Sequence, residues 1–453
     1  MTAFTAKVVA ARAAAGLSRR TRAGGGTTLP GKLLLRMAPD AIERMTARLA
    51  GGSVVISATN GKTTTAKMLA ALLEPERRLC RNTAGANLES GVASALLHCD
   101  GADLGVFEVD EAALPGVAAR LEPRATVLGN LFRDQLDRYG ELEAIAARWQ
   151  RMTAALPAGS QLVRNGDDPL VASLENPGET LTFGIDHEGS ALAEMPHASD
   201  SKWCPACGTR LRYERIYLGH LGDWSCPGCG RRRPPLDVWA DALDPLGLDG
   251  TRFVLRTPLG DADVELPMPG LYNVYNALAA AAAACAVGGV DVARMARGLE
   301  RFDAAFGRFE RLRVGDRDAV LLLAKNPAGA NELIRTLATD SRPKQLLVAL
   351  NDRIADGRDV SWIWDVDFEL LAGHVQGVVT AGTRAAEMAM RLKYGGVEQA
   401  RLAVVAGGAA AAIDRVLAGG DGPAYLLGTY TAMLELRAEL VRRGVVRPCW
   451  EAA

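Results

Sequence analysis

The sequence predicts an α/β protein built on parallel-rich sheets, because short apolar strand-like runs alternate with helical segments along most of its length. Three observations carry this prediction. A β-branched run at Ser53–Ser57 leads through a glycine turn into a helical stretch, similar runs recur as far as Val163, and a second alternation follows Leu312. The 453 residues are 49% hydrophobic and 23% charged, which is enough apolar sequence for two or three domains with buried cores.

Each block contributes its own strands. The first block has its first helix at Thr63–Leu73 and predicted strands at Ser53–Ser57, Leu104–Val109, Thr126–Leu128 and Gln161–Val163. The second block has predicted strands at Val320–Ala324, Gln345–Leu350, Val375–Thr380, Leu402–Val405 and Ala424–Leu427. We therefore expect a helical arm over residues 1–50, a central α/β domain over 51–312 and a Rossmann-like C-terminal domain over 313–453.

Charge and cysteine usage limit the class of protein. The 52 basic and 53 acidic residues nearly cancel, so no global attraction to nucleic acid or anionic membranes is expected. No stretch reaches the length of about 18 uncharged apolar residues that a membrane span needs, and the start of the chain, interrupted by Lys7 and Arg12, predicts an amphipathic helix rather than an export signal. Four of the eight cysteines are scattered (Cys80, Cys99, Cys285 and Cys449), which suits a reducing cytosol better than a disulfide framework. We expect a cytoplasmic protein, and the basic arm allows a position at the inner face of the membrane.

The turn after the first strand has the composition of a phosphate-binding loop. Its residues are Thr59, Asn60, Gly61, Lys62, Thr63 and Thr64. Backbone N–H groups at a helix N-terminus form an anion cradle, Lys62 can reach the terminal phosphates, and the Thr63 hydroxyl can bind Mg²⁺. The generic motif would need glycine where this chain has Ile56, so a chance Gly-Lys-Thr in an ordinary loop is the alternative.

Acidic residues end the next strands of the predicted sheet. Glu108, Asp110 and Glu111 follow Leu104–Val109, at the edge where open α/β sheets bind ligands. A carboxylate there can hold the Mg²⁺ that bridges nucleotide phosphates, although an acidic loop start is the commoner explanation. Asn130 and the charged run at 133–138 follow the next strand. A second cluster of functional residues and a solvated helix face explain this run equally well.

Two Cys-x-x-Cys pairs lie in an insertion at about 198–235. Cys204 and Cys207 are separated by 18 residues from Cys226 and Cys229, which is the spacing of a zinc ribbon. Four thiolates leave no open coordination position, so structural zinc is expected rather than catalytic zinc. The competing interpretation is a nucleic-acid-binding ribbon whose basic, aromatic face would contain Arg210, Arg212, Arg215, Arg231, Arg232 and Arg233 with Trp203, Tyr213 and Trp224. The balanced overall charge favours a solvated surface, and no nucleic acid is expected.

Six segments, in order along the chain, resemble motifs of the Mur ligase family. They are Thr59–Thr64, Glu108, Asn130–Gly140, Asn165–Pro169, Gly270–Ala280 and Gly307–Glu310. The resemblance implies ATP as substrate, Mg²⁺ held with the help of Thr63 and Glu108, and nucleotide contacts from Asn273, Asn276 and Arg308. Gln135 stands where the family has histidine, Ala58 replaces the usual first glycine of the loop, and no equivalent of the carbamylated lysine is evident.

Three features resemble the MurT subfamily in particular. They are the four-cysteine insertion, the turn Lys325–Gly329 and the segment Asn351–Asp365. Such proteins are the ligase subunits of lipid II isoglutaminyl synthase and pair with GatD, a glutaminase subunit that supplies ammonia. The resemblance implies ATP-dependent amidation of the D-glutamate α-carboxylate of the lipid II stem peptide to D-isoglutamine through an acyl phosphate, with Lys62 and Glu108 supporting phosphoryl transfer.

The ammonia has to come from outside this chain, since five histidines and no recognisable Cys–His elbow offer no glutaminase site. The resemblance implies that an aspartate of the C-terminal domain completes the partner's Cys–His triad; Asp359 is the first choice and Asp356 the second, and an Asp-Gly turn with a helix cap is the structural alternative. The alternative activity is a Mur-type ligase that adds an amino acid, as in peptide or folate polyglutamate synthesis.

Overall fold

The computed structural model describes residues 3–21, 28–74, 76–82, 85–133, 142–196, 199–302, 309–340, 342–420 and 422–447. Its helices are α1 Ala3–Thr21, α2 Leu29–Met37, α3 Ala41–Thr46, α4 Lys62–Leu73, α5 Glu89–Leu96, α6 Leu114–Leu121, α7 Leu142–Ala154, α8 Pro169–Ala172, α9 Leu271–Val287, α10 Val292–Glu300, α11 Pro327–Thr339, α12 Ala385–Tyr394, α13 Gly408–Leu417 and α14 Tyr430–Arg442. None of the helices in these ranges combines the length and the hydropathy that crossing a bilayer requires.

A nine-stranded sheet forms the first half of the protein. Its strands are β1 Ser53–Ser57, β2 Leu79–Arg81, β3 Leu104–Glu108, β4 Ala125–Leu128, β5 Gln161–Asn165, β6 Thr180–Ile185, β9 Val238–Pro245, β10 Thr251–Thr257 and β11 Gly260–Leu266, in the order β11-β10-β9-β6-β5-β4-β1-β3-β2. Pairing is parallel from β2 to β9 and antiparallel from β9 to β11. Every residue of β1 is buried, as expected of a parallel strand covered on both faces.

Two apolar layers cover this sheet. On one side the alanine-rich α9 packs against α4 and β6, and the small side chains of Ala279–Ala284 let it approach closely. The other layer includes α1, α2 and α3, whose Phe4, Leu34 and Ile42 join one core with the fully buried Trp149 of α7. The predicted helical arm therefore packs on the first sheet.

A six-stranded sheet forms the second half of the protein. Its strands are β12 Glu310–Val314, β13 Arg317–Leu323, β14 Lys344–Ala349, β15 Val375–Ala381, β16 Leu402–Val404 and β17 Ala424–Gly428, in the order β12-β13-β17-β14-β15-β16. Only β12 is antiparallel to its neighbour. The two parallel-rich sheets confirm the predicted α/β class with a Rossmann-like C-terminal part; the domain limits at 50 and 312 remain predictions.

The cysteine-rich insertion projects from the first sheet as a separate hairpin. Its strands are β7 Arg212–Leu218 and β8 Leu221–Ser225, which pair antiparallel between β6 and β9 along the chain. Short bridges from Trp203 to Arg210 and from Ser225 to Arg232 flank this hairpin.

One expectation about the cysteines was wrong. Cys80 and Cys99 are joined by a disulfide, with their Cα atoms 5.2 Å apart. β2 carries Cys80 to the sheet edge beside β3, and the chain after α5 returns Cys99 to the same edge, within the separation that a disulfide requires. The sequence offered no signal for this pairing because the two residues are 19 positions apart and belong to no motif. Cys285 is free, and Cys449 lies outside the described residues.

Candidate functional site: a cavity between two sheets

The predicted phosphate loop connects β1 to α4, and Gly61 makes it possible. Gly61 has φ 92°, a left-handed conformation that glycine adopts without steric cost. A Cβ on Gly61 would also lie 1.9 Å from Oδ1 of Asn276. Glycine is therefore required twice, for the backbone angle and for the close approach of α9.

Asn130, at the end of β4, holds the loop in shape. The backbone N–H of Asn60 donates to Oδ1 of Asn130 at 2.9 Å, and Nδ2 of Asn130 donates to the Asn60 carbonyl at 3.1 Å. Thr59 is fixed as well, since its N–H donates to the Asn130 carbonyl at 2.8 Å and its Oγ1 accepts from the Phe132 N–H at 3.0 Å. The structure thus brings the predicted Asn130 to the loop, whereas residues 134–140 of the same run lie outside the described residues.

Lys62 lies at the start of α4 and is paired with a carboxylate. Its Nζ donates to the Ala58 carbonyl at 2.5 Å and to Oε2 of Glu111 at 2.7 Å. Both side chains are nearly buried, with 11% and 9% exposed. Burial acts to raise the pKa of Glu111, but the charges of Lys62 and Lys325 and the Lys62 hydrogen bond outweigh it and hold the pKa below its usual value. Glu111 therefore supplies a fixed negative charge beside Lys62, whose contact with phosphate remains a prediction.

Glu108 occupies a neighbouring position on the same sheet edge. It pairs in register with Ile56 of β1, three residues before Thr59 at the start of the loop. Its Oε1 accepts from the Gly85 N–H at 3.2 Å, and Asn82 bonds its backbone. Thr63 is partly exposed in the first turn of α4. A hydroxyl and a carboxylate at one edge suit Mg²⁺ chemically, and the assignment of these two side chains to that ion remains a prediction.

A cavity of about 820 Å³, open solvent included, lies between the loop and the second sheet. The first half of the protein contributes Asn60, Gly61 and Thr64 together with Tyr272, Asn273 and Asn276 of α9. The two predicted asparagines are fixed by their neighbours: Asn273 Nδ2 donates to the Pro269 carbonyl at 2.8 Å, and Asn276 Oδ1 accepts from the Thr65 hydroxyl at 3.3 Å. The predicted Arg308 lies outside the described residues.

The C-terminal half closes the other side of the cavity. Lys325 Nζ donates to the Thr59 carbonyl at 3.3 Å, and Asn326 Nδ2 donates to Oδ1 of Asn60 at 2.9 Å. Asn326 also caps α11, accepting from the Gly329 N–H at 2.9 Å. The turn that the sequence singled out thus clamps the two halves together at the phosphate loop.

Sequence reasoning missed Glu332, which lines the cavity from α11. Burial raises the pKa of Glu332 to about 7, against the opposing effect of Arg335, whose Nη1 donates to it at 2.8 Å. On the sequence Glu332 resembles any solvent-facing helix residue, so no local signal could have identified it.

The four predicted zinc ligands converge. All their sulfur atoms lie within 4.8 Å of one another, with Cys204 to Cys229 at 3.7 Å and Cys207 to Cys226 at 3.4 Å. A tetrahedral ion with Zn–S bonds of about 2.3 Å sets its ligands about 3.8 Å apart, so the cluster fits zinc. Both knuckles turn back on themselves, with the Gly208 N–H donating to the Cys204 carbonyl at 2.9 Å and Gly230 to Cys226 at 3.0 Å.

The proposed basic face of the ribbon is smaller than the sequence suggested. Arg215 pairs with Asp186 at 2.7 Å and Arg233 with Asp167 at 3.1 Å, so both are engaged within the protein. Trp224 is buried and donates from Nε1 to the Gly166 carbonyl at 3.0 Å. These three residues are therefore engaged within the protein and do not form the basic, aromatic surface that the nucleic-acid interpretation requires.

The two candidate aspartates of the C-terminal half differ sharply in environment. Asp356 is buried and accepts from the backbone N–H of Thr431 at 2.7 Å and from its hydroxyl at 2.5 Å. Asp359 is exposed, and the hydrogen bonds of Ser361 lower its pKa. Only Asp359 is placed to reach another molecule.

Comparison with known proteins identifies similar chains. The profile of the Mur ligase middle domain matches residues 56–204, and that of the MurT ligase C-terminal domain matches residues 323–433. The MurT subunit of lipid II isoglutaminyl synthase (glutamine-hydrolyzing) from Streptococcus pneumoniae is 35% identical over 94% of this chain and 95% of its own length. The corresponding Staphylococcus aureus subunit is 30% identical over 82% of this chain and 84% of its own.

Solved structures share the fold. A pseudomurein peptide ligase type C from Methanothermus fervidus superposes with a TM-score of 0.69 at 24% identity, covering 88% of this chain and 80% of its own. Folylpolyglutamate synthase from Mycobacterium tuberculosis superposes with a TM-score of 0.63 at 17% identity, covering 92% and 98%. At these identities the likeness concerns the fold alone.

Proposed function

Because the chain belongs to the MurT family of Mur ligases, we propose that it is the ATP-dependent ligase subunit of a lipid II isoglutaminyl synthase. Its reaction is amidation of the α-carboxylate of D-glutamate in the lipid II stem peptide, which gives D-isoglutamine. The observation that carries the proposal is the glycine loop with Lys62 at a helix N-terminus, which opens on a cavity closed by both halves of the protein.

The first chemical step transfers a phosphoryl group. An oxygen of the substrate carboxylate attacks the γ-phosphorus of ATP, the bond to the β-phosphate bridge oxygen breaks, and ADP leaves an acyl phosphate behind. The N–H groups at the start of α4 bind the phosphates, and Lys62 stabilises the charge on the transferring group. Before nucleotide arrives, the hydrogen bond to Glu111 orients the Lys62 ammonium. Thr63 and Glu108 would hold Mg²⁺, which supplies charge neutralisation on the phosphate oxygens when bound.

The second step forms the amide. Ammonia attacks the acyl carbon, the carbon–oxygen bond to phosphate breaks, and the proton that nitrogen loses leaves with the phosphate as hydrogen phosphate. A zinc ion held by the four cysteines would take no direct part in either step, because four cysteine ligands leave no open position on the metal.

Ammonia is proposed to come from a separate glutaminase subunit. Asp359 supports this because its carboxylate is exposed and its lowered pKa keeps it ionised at neutral pH, as an aspartate that orients a partner's histidine must be. Asp356 is engaged with Thr431 and is a structural residue in this proposal.

The test is turnover of the purified chain with ATP, a muropeptide substrate and either ammonium or free amino acids, with products identified by tandem mass spectrometry. Ammonium-dependent formation of the amide and ADP supports the proposal. Incorporation of an amino acid but never of ammonia would assign the chain to the amino-acid-adding ligases instead. A Lys62→Ala variant that turns over as fast as the wild type would contradict a role of the phosphate loop in the reaction.

A further inference from the structure

The tip of the ribbon hairpin reaches the nucleotide cavity. The four cysteines lie at the open end of the hairpin, and its turn joins Leu218 of β7 to Leu221 of β8. Both leucines line the cavity, as do Phe132, Asn273 and Asn276. The insertion therefore contributes apolar surface to a cavity that Tyr272, Phe309 and Leu333 also line.

This tip is fastened to the sheet rather than merely resting on it. The Gly222 N–H donates to the Asp167 carbonyl at 3.0 Å, and the Ser199 hydroxyl donates to the Gly219 carbonyl at 2.9 Å. Further along β8, Trp224 Nε1 donates to the Gly166 carbonyl at 3.0 Å. The hydrogen bonds of Gly222 and Trp224 therefore hold the hairpin against the turn that follows β5.

His220 lies under the tip and is completely buried. Its Nε2 is 3.4 Å from Oδ2 of Asp168, and its ring centroid is 4.6 Å from that of Phe132. Neither ring nitrogen makes a hydrogen bond within the described part of the chain. A buried imidazole at this position has its packing set by Phe132 and its polar edge directed at Asp168.

The same contacts continue to the phosphate loop. Oδ2 of Asp168 accepts from the Leu131 N–H at 2.8 Å, and the next N–H, that of Phe132, donates to Oγ1 of Thr59 at 3.0 Å. A displacement of the hairpin tip would therefore move Thr59, because Asp168 and the 131–132 segment connect the two.

We infer that the zinc ribbon is a nucleotide-binding element: Leu218 and Leu221 form the wall on which the purine base of ATP rests, and His220 is a positioning residue that seats this wall on Asp168. The inference rests on the proposed ATP dependence and adds a role for the insertion, which the two chemical steps do not use. Carbon-rich side chains suit the flat apolar faces of a purine, and Asn273 and Asn276 line the same cavity.

Substitutions at the tip should change nucleotide binding and spare catalysis. We expect Leu221→Ala to raise the KM for ATP and the Kd of a fluorescent ATP analogue about tenfold, the scale of lost apolar contact in a pocket, with kcat nearly unchanged. His220→Asn should act in the same direction with an unchanged zinc content. Trp203→Ala is the matched control, since Trp203 belongs to the same ribbon but is 62% exposed and does not line the cavity.

Hydrogen–deuterium exchange of the full wild-type chain decides the matter without relying on variants that could unfold. Exchange is measured with and without Mg²⁺ and a non-hydrolysable ATP analogue. Protection of both the loop 59–64 and the hairpin 216–222 is the expected result. Protection of the loop with an unchanged hairpin would overturn this inference and leave the proposed function standing. No protection of either segment would overturn both.

Discussion

Replacing Lys62 by alanine tests the buried ion pair and the phosphate loop together. The variant leaves the Glu111 carboxylate, 9% exposed, without its 2.7 Å partner. Removing one member of a buried pair costs about 3–5 kcal/mol, and we expect the lower end because Lys325 still contributes positive charge near Glu111. At about 2 °C per kcal/mol for a large domain, the melting temperature should fall by at least about 6 °C.

The loss of stability should depend on pH with a definite sign. In the wild type the pKa of Glu111 lies below its usual 4.5, so its contribution is present above pH 4.5 and is lost as pH falls through the folded-state value. Without Lys62, burial dominates and the folded-state pKa rises above 4.5, so the variant loses stability as pH increases. The stability gap between the two proteins should therefore widen from pH 4.5 to pH 7.

Thermal and chemical denaturation of the wild type, Lys62→Ala, Glu111→Gln and the double variant measure this gap, with ATP turnover assayed in parallel. The double variant should recover most of the stability that Lys62→Ala loses, because neither charge of the buried pair remains. It should recover none of the ATP turnover. Arg313→Ala is the control: its partner Asp318 is 72% exposed, and the change should cost less than about 1 kcal/mol. A Lys62→Ala protein as stable as wild type at every pH, or a double variant that turns over ATP normally, would refute the reasoning.

Three further outcomes are expected. Nucleotide affinity should fall as pH rises through about 7, because Glu332 there gains a negative charge facing the cavity. The Glu332→Gln variant should bind nucleotide independently of pH between 6 and 8. If the variant shows the same pH dependence of affinity as the wild type, Glu332 is not its cause. Metal analysis should find one zinc per chain in the wild type and none in Cys204→Ser, which should also melt at lower temperature; full zinc retention would contradict the four-sulfur site. In the complex with its glutaminase, Asp359→Asn should lower glutamine-dependent amidation about a hundredfold or more while ammonium-dependent amidation continues. Asp356→Asn should mainly reduce the stability of the protein. The reverse pattern would exchange the roles of the two aspartates.

Features that depend on a few consecutive residues could be predicted from the sequence. The β1 strand, the Gly61 turn and the start of α4 follow from local conformational preference, and the paired cysteines follow from ligand spacing. Five of the six strands of the second sheet coincide with predicted strands, because their apolar runs are bounded by polar or glycine turns, whereas β12 was not predicted.

Features that depend on how distant segments meet could not be predicted. Glu108 and Glu111 both follow one strand, and only the path of the chain after β3 decides that Glu111 reaches Lys62. The Cys80–Cys99 disulfide joins two segments that meet at a sheet edge. Leu218 and Leu221 read as ordinary hairpin residues until the ribbon folds back over the cavity.

The most direct test of acyl phosphate formation is the fate of the substrate oxygen. A muropeptide whose D-glutamate α-carboxylate carries ¹⁸O at both oxygens is converted with ATP and ammonia, and the released phosphate is analysed by mass spectrometry. Activation through the Lys62 loop predicts one ¹⁸O atom in each phosphate formed. Phosphate free of label, with amide still produced, would contradict the account.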